Sequence, residues 1–119
     1  MNAEQIKQIV KETVSELKRQ GMLQNDINVK YKEASDILKQ YYLAEETEPG
    51  FMPQVGEALC ALTKDPYYSI IPLYYCHLYT IERIAELLEV EVSTVTRNKK
   101  RLCIAFYDEY TNIANGNHL

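Results

Sequence analysis

Residues 80–102 read TIERIAELLEVEVSTVTRNKKRL, and this stretch contains two consecutive helical patterns. Thr80 can cap the first helix, and a turn is expected at about 89–91. The inner side of this first helix is predicted to consist of Ile84, Ala85, Leu87 and Leu88. A second helix is predicted from about Val92 to residue 113. Its inward side carries Val95, Asn98, Leu102, Ala105 and Phe106.

Positive charge is concentrated in the second of these helices. Residues 92–101 contain four cations and no acid, whereas residues 1–91 contain nine Lys or Arg against 15 Asp or Glu. The four cations are Arg97, Lys99, Lys100 and Arg101. Since the whole chain has a net charge of −4, this basic cluster favours a directed contact with a polyanion. A solvated helix face is the alternative interpretation.

The composition favours one all-α domain with a helical arm. The 119 residues include only four Gly and four Pro, which are too few turn residues for a many-stranded sandwich or barrel. The hydrophobic content of 46% argues against wholesale disorder. No window approaches the roughly 18 apolar residues of a membrane span, and no signal-peptide core opens the chain. A cytoplasmic protein without membrane contact is therefore expected.

The cysteines and histidines indicate no catalytic or metal chemistry. Cys60, Cys76 and Cys103 are widely spaced and match neither a CxxC motif nor a zinc pattern. They are expected to be reduced and mostly buried. The two histidines lack a partnered nucleophile, and no Gly-rich phosphate loop or paired-carboxylate motif is present. Neither an enzyme nor a cofactor is expected.

Two helices are predicted in an N-terminal arm that covers residues 1–50. The first, at 3–20, carries an apolar stripe at helical spacing. This stripe needs a cover, so docking on the rest of the chain is expected, with a homodimer through this helix as the alternative. The second helix is predicted at about 29–45, with Asn28 as its N-cap. The acidic stretch at 45–50 is interpreted as a hinge.

Two further helices are predicted before the quoted stretch. One covers 53–64, with Pro53 in its first turn. Asp65 can cap the next segment, which contains Pro72. Inside a continuous helix this proline would forfeit a hydrogen bond and clash, at a cost of about 3 kcal/mol. The alternatives are a kinked helix and a helix that restarts at Ser69, so that Pro72 falls in its first turn.

Residues 80–102 resemble the helix-turn-helix of sigma-factor region four and its relatives. Such motifs place a large and a small apolar residue where Ile84 and Ala85 stand, and Thr94 and Val95 occupy the familiar "TV" of the recognition helix. The preceding DPYYSIIPLYY resembles the helix that leads into region four. DPYY together with RNKKRL is similar to the ArpU-type phage late-transcription regulators.

This resemblance, which covers about residues 59–102, implies a sequence-specific DNA-binding regulator of phage or prophage type. It also implies an action with bacterial RNA polymerase. The motif-bearing domain is predicted to span 51–113, and a disordered tail is expected at 114–119. Two residues depart from the usual pattern, because Glu89 stands where most relatives have Gly and Glu91 replaces the Ser or Thr cap. A positive φ is expected at Glu89.

The recognition helix implied by the resemblance presents its N-terminal half to base edges in the major groove of double-stranded DNA. Arg97 is placed to grip guanine with two hydrogen bonds. Ser93 and Thr96 can form hydrogen bonds or place a methyl group near thymine, and the cations further along suit phosphates. The predicted DNA-binding residues are Ser93, Thr94, Thr96, Arg97, Lys99, Lys100 and Arg101.

Two other functions remain open. One is a protein interaction module that keeps the motif as a scaffold and uses a tyrosine-rich surface. Its candidate residues are Tyr41, Tyr42, Tyr67, Tyr68, Tyr74, Tyr75 and Tyr79. The same tyrosines are also interpreted as partly buried, with their hydroxyl groups at the core boundary. The second function is that of a phage terminase small subunit, although those proteins generally place such a motif near the N-terminus.

Overall fold

The computed structural model describes residues 26–116. Within this range the chain forms five helices and no strand, so the predicted all-α fold is confirmed. The helices are α1 (26–47), α2 (Pro53–Cys60), α3 (Ile70–Tyr75), α4 (Ile81–Leu88) and α5 (Val92–Ala114). None of these helices is long and apolar enough to cross a membrane. The helix predicted at 3–20 lies outside the described residues, and so does its predicted docking or pairing.

α1 turns its apolar side into the interior of the protein. Ala34 and Leu38 have no exposed surface, and Tyr42 is half-buried. The helix is already formed at residue 26, so the predicted start near residue 29 with Asn28 as the N-cap is wrong. The Asn28 side chain instead accepts a hydrogen bond of 3.3 Å from Lys100 Nζ. Local capping preferences do not reveal such a distant partner.

The larger of two cores joins α1, α2, α3 and α5. Its buried members are Ala34, Leu38, Val55, Ala58, Leu59, Ile71, Tyr75, Leu102, Cys103, Phe106 and Ile113. The predicted boundary at residue 50 therefore does not separate two cores, because the helices on either side of it bury their apolar residues together. At the other end α5 extends to Ala114, one residue into the predicted tail.

The connection between α2 and α3 decides the position of Pro72. α2 starts at Pro53 as predicted, but it ends at Cys60 rather than near residue 64. Turns then occupy most of 61–69, and Asp65 Oδ1 accepts a hydrogen bond of 2.9 Å from the Tyr67 amide. Pro72 is the third residue of α3. Its missing amide thus falls in the first turn, which is the restarted-helix alternative.

A second, smaller core joins α3, α4 and α5. Its fully or largely buried members are Ile70, Ile84, Ala85 and Val95. Ile81 and Leu88 pack against it from the same side of α4. Leu87, which was predicted to face inward, is 50% exposed. At 100° per residue, Leu87 falls outside the arc that the other apolar residues of α4 share.

The cysteines are less buried than predicted. Cys103 lies in the larger core, but Cys60 and Cys76 are exposed, so the expectation of mostly buried thiols is wrong. Burial raises the pKa of the Cys103 thiol. The Tyr75 hydroxyl group shares a hydrogen bond with Cys103 Sγ at 3.4 Å and another with the Ser35 hydroxyl group at 2.8 Å. These contacts tie α1, α3 and α5 together in the core.

Candidate nucleic-acid interface

The turn at 89–91 connects α4 to α5 and sets the direction of α5 relative to α4. Thr80 caps α4 as predicted, because its Oγ1 accepts a hydrogen bond of 3.2 Å from the Arg83 amide. Glu89 has the predicted positive φ, at 57°. The Val90 amide then donates to the carbonyl of Ala85 at 3.0 Å, which closes the end of α4. Glu91 precedes α5 as its N-cap residue, without a side-chain hydrogen bond to the helix.

We expect Glu89→Gly to stabilise the protein by about 1 kcal/mol, because glycine tolerates the left-handed conformation that disfavours a glutamate side chain. The measurement is the midpoint of urea unfolding followed by circular dichroism. Glu91→Gly is the matched control, since Glu91 has an extended φ of −74° and glycine removes no strain there. A lower midpoint for Glu89→Gly than for the parent would contradict the expectation.

The first two turns of α5 expose four side chains. Val92, Ser93, Thr96 and Arg97 are all exposed, and the last three are among the predicted DNA-binding residues. Thr96 Oγ1 donates a hydrogen bond of 3.1 Å to the carbonyl of Val92, which leaves the Thr96 methyl group and oxygen lone pairs free. Arg97 makes no ion pair or hydrogen bond with any residue in the described range. These side chains therefore form one accessible face, which is polar except for Val92.

Thr94 lies at the edge of this face and is half-buried. Its carbonyl accepts a hydrogen bond of 2.8 Å from Asn98 Nδ2. Asn98 Oδ1 in turn accepts a hydrogen bond of 3.1 Å from Arg101 Nε. This chain of contacts runs along the flank of α5, so Thr94 is less accessible to a ligand of the exposed face than Ser93.

Lys99 is the predicted DNA contact that the structure contradicts. It is only 7% exposed and points toward the interior. Its Nζ atom lies 4.0 Å from the ring centroid of Tyr74 and 4.9 Å from that of Tyr31. It also donates a hydrogen bond to the Tyr31 hydroxyl oxygen. The tyrosine rings stabilise the buried cation by cation–π attraction, and a DNA phosphate cannot reach it.

Arg101 is exposed, but an ion pair occupies its guanidinium group. Its Nη1 lies 2.8 Å from Asp65 Oδ2 and its Nη2 lies 3.0 Å from Asp65 Oδ1. The hydrogen bonds from Arg101 lower the pKa of the Asp65 carboxyl group. As long as this pair is intact, Arg101 is not the free phosphate contact that the sequence predicted.

Lys100 makes weaker contacts than Lys99 and Arg101. Its Nζ donates one hydrogen bond of 3.3 Å to the neutral side chain of Asn28. No carboxylate of the described residues pairs with it. Within the described range the four cations therefore differ: Arg97 has no partner, Lys100 has one weak hydrogen bond, Arg101 is ion-paired and Lys99 is buried.

Arg83 is a cation near the turn that the sequence did not single out. It lies exposed in α4, with its guanidinium carbon 5.2 Å from the centroid of the Tyr79 ring. In helix-turn-helix complexes the first helix crosses the DNA backbone, so its exposed cations are candidate phosphate contacts. Arg83 is the one cation of α4, and its position in the first helix of the predicted motif is the signal by which the sequence identifies it.

The tyrosine-rich region forms a cleft on another side of the protein. The cleft has a volume of about 550 Å³ between α1 and the end of α3, and Tyr42, Tyr74 and Tyr79 line it. Two leucines at the cleft are largely exposed, with Leu43 at 66% and Leu78 at 78%. All seven tyrosines named above are at least partly buried, as predicted. Four of them, Tyr42, Tyr74, Tyr75 and Tyr79, line this cleft, although Tyr75 is itself buried.

Comparisons of the chain with protein-family models, curated proteins and solved structures found no match. The geometry of α4, the turn and α5 therefore provides the argument for function.

Proposed function

We propose that this protein is a sequence-specific DNA-binding transcriptional regulator in which α5 enters the major groove. One observation carries the proposal: the start of α5 exposes, on one face, short polar side chains and a guanidinium group that has no partner among residues 26–116. The opposite side of α5 packs into the second core, where Val95 is fully buried against α3 and α4. A rigid helix that presents such groups suits recognition of base edges.

Arg97 is the principal base-reading residue in this proposal. Its planar guanidinium group can donate two hydrogen bonds to N7 and O6 of guanine. Ser93 and Thr96 lie on the same exposed face and can contact a neighbouring base, with the Thr96 methyl group suited to the methyl group of thymine. Because these side chains differ in chemistry, each base pair under α5 is distinguished by a different contact.

Phosphate contacts in this proposal come from Lys100 and Arg83, one from each helix of the motif. Both belong to the described part of the chain and neither forms an ion pair there. Exposed acids lie close to Arg83 in sequence, at Glu82, Glu86 and Glu89. Their charge repels the DNA backbone, so Arg83 is expected to contribute less to binding than Lys100.

The proposed regulator acts with bacterial RNA polymerase, as the resemblance to sigma-factor region four and to ArpU-type phage regulators implies. Pull-down of polymerase subunits by the tagged chain from a bacterial lysate tests this part separately. DNA binding without polymerase capture would favour a regulator that acts alone.

Selection of bound fragments from a genomic DNA library tests the central proposal. We expect a short common sequence among the recovered fragments, with an affinity that falls as salt rises. Recovery of fragments without a shared sequence would contradict sequence-specific recognition. Failure to bind any duplex at 50 mM salt would contradict DNA binding altogether.

We expect Lys100→Ala to weaken binding to all DNA sequences by about the same factor. Loss of one phosphate contact lowers the slope of log K against log salt concentration by about 0.9. Fluorescence anisotropy with a selected and a scrambled duplex across a salt series measures both quantities. Lys32→Ala is the matched control, because Lys32 is an exposed cation on α1. Equal effects of the two substitutions would indicate a general charge effect instead of a contact.

A protein interaction module is the second candidate function, and the tyrosine-lined cleft favours it. Exposed Leu43 and Leu78 beside a cleft of about 550 Å³ are typical of a surface that excludes water on binding. The salt-dependent DNA binding described above separates the two candidates. Substitution of Leu78 leaves DNA binding intact if the cleft and α5 have independent roles.

A further inference from the structure

We infer that Asp65 lowers the sequence-independent DNA affinity of this protein. Its carboxylate binds the Arg101 guanidinium group and so competes with DNA phosphates for it. The inference rests on the proposed DNA-binding function and concerns the flank of the same helix. Its basis is the two-pronged contact between the Asp65 carboxylate and the Arg101 guanidinium group.

The geometry of this pair imitates a phosphate contact. Two hydrogen bonds of 2.8 and 3.0 Å join the two terminal nitrogens of Arg101 to the two oxygens of Asp65. Arginine binds carboxylates and phosphates through this same fork. The carboxylate therefore occupies the donors that a DNA phosphate would use.

The pair lies where an incoming phosphate can compete for it. The Arg101 side chain is 48% exposed and the Asp65 side chain is 21% exposed. Arg101 follows Arg97 by four residues, so the two side chains project from neighbouring turns on similar sides of α5. A duplex that is read by Arg97 thus brings its backbone toward the flank that carries Arg101.

Local contacts hold both partners of the pair in place. The Tyr67 amide donates to Asp65 Oδ1 at 2.9 Å, which fixes the carboxylate on the turn before α3. On the other side, Arg101 Nε donates to Asn98 Oδ1 at 3.1 Å. Because each charged group is positioned by its own element, the ion pair needs little reorganisation to form.

The ion pair reduces the part of the DNA-binding free energy that comes from phosphate contacts. Contacts to bases therefore account for a larger part of it. A free Arg101 would add one phosphate contact to every duplex, whatever its sequence. Pairing with Asp65 removes that contribution and places a negative charge beside the path of the backbone. Arg97 then discriminates between sequences against a weaker non-specific background.

The decisive variant is Asp65→Asn, which removes the charge but keeps Oδ1 as an acceptor for the Tyr67 amide. We expect this variant to bind the selected and the scrambled duplex about three- to fivefold more tightly than the parent at 50 mM salt. The salt slope should become steeper by about 0.9, so the gain should shrink about 3.5-fold between 50 and 200 mM salt. Anisotropy titrations measure all three quantities.

Two matched variants separate this effect from a general change in charge. Asp108→Asn removes a carboxylate further along α5, where it pairs with Lys30 at 3.2 Å, and should increase the affinity much less. In the double variant Asp65→Asn/Arg101→Gln, the gain of Asp65→Asn should disappear. Asp65→Ser, which keeps a hydroxyl oxygen for the turn, serves as a second test if thermal unfolding shows that Asp65→Asn is destabilised.

Each outcome bears on a distinct conclusion. Parent-like affinity of a folded Asp65 variant, or an equal gain from Asp108→Asn, would overturn the inference and leave a purely structural ion pair. The proposed DNA-binding function would survive that result, because the parent would still select its sequence. Absence of any DNA binding by both the parent and the Asp65 variants would overturn the proposed function and this inference together.

Discussion

Val95→Asp is expected to abolish DNA binding by unfolding the motif. Val95 has no exposed surface and packs with Ile70, Ile84 and Ala85 where α3, α4 and α5 meet. A carboxylate at this position would be buried without a partner, at a cost of about 3–5 kcal/mol. That cost approaches the whole stability of a typical small domain, which is about 5–15 kcal/mol. Circular dichroism should show reduced helicity, and anisotropy should show no binding.

Leu87→Asp is the matched control for this substitution. It introduces the same carboxylate into the adjoining helix α4, but at a side chain that is 50% exposed. We expect the control to retain the helicity and unfolding temperature of the parent within a few degrees. Parent-like helicity in Val95→Asp would show that Val95 does not support α5 as the structure indicates.

Arg97→Ala is expected to weaken binding to the preferred duplex by about 1–3 kcal/mol, which is the usual contribution of a bidentate contact to guanine. The discrimination at one base pair should be lost as well, because no other exposed side chain at this position replaces the fork. Affinities for a panel of single-base variants of the selected site measure both effects. The unfolding temperature should remain close to that of the parent, since the Arg97 side chain is exposed and unpaired in the described range.

Arg97→Lys sharpens the comparison, because it keeps the charge and removes the planar fork. We expect this variant to retain most of its binding to scrambled DNA while it loses the preference at the same base pair. If Arg97→Ala and Lys100→Ala instead weakened every duplex by equal factors, Arg97 would be a backbone contact. If neither changed the affinity, the exposed face of α5 would not be the DNA-binding surface.

Much of the motif could be predicted from the sequence because its determinants are local. Thr80 is followed three residues later by the amide that it caps, and the apolar positions of α4 recur within one helical turn. The positive φ of Glu89 follows from the short turn that two adjacent helices require. The bounds of α5 agree with its periodicity to within one residue.

The connection between α2 and α3 was less predictable, although its turn residues were recognised. Pro72 excluded an undisturbed helix but was compatible with both a kink and a restart. The turns at 61–69 decide between these alternatives, and they are held by successive short-range hydrogen bonds around Asp65. Helix propensity alone does not distinguish a kinked helix from a restarted one, because both accommodate Pro72.

The sequence by itself determined the all-α class, the two helices around residues 89–91 and the exposed start of α5. Only the tertiary structure decided what the four cations do. Lys99 is buried by Tyr31, which is 68 residues away in the chain, and Arg101 is paired with Asp65, which is 36 residues away. Helical periodicity predicts which side of a helix a residue occupies. Whether a charged side chain there is paired or buried depends on groups distant in the sequence, which only the packed core brings within a few ångströms.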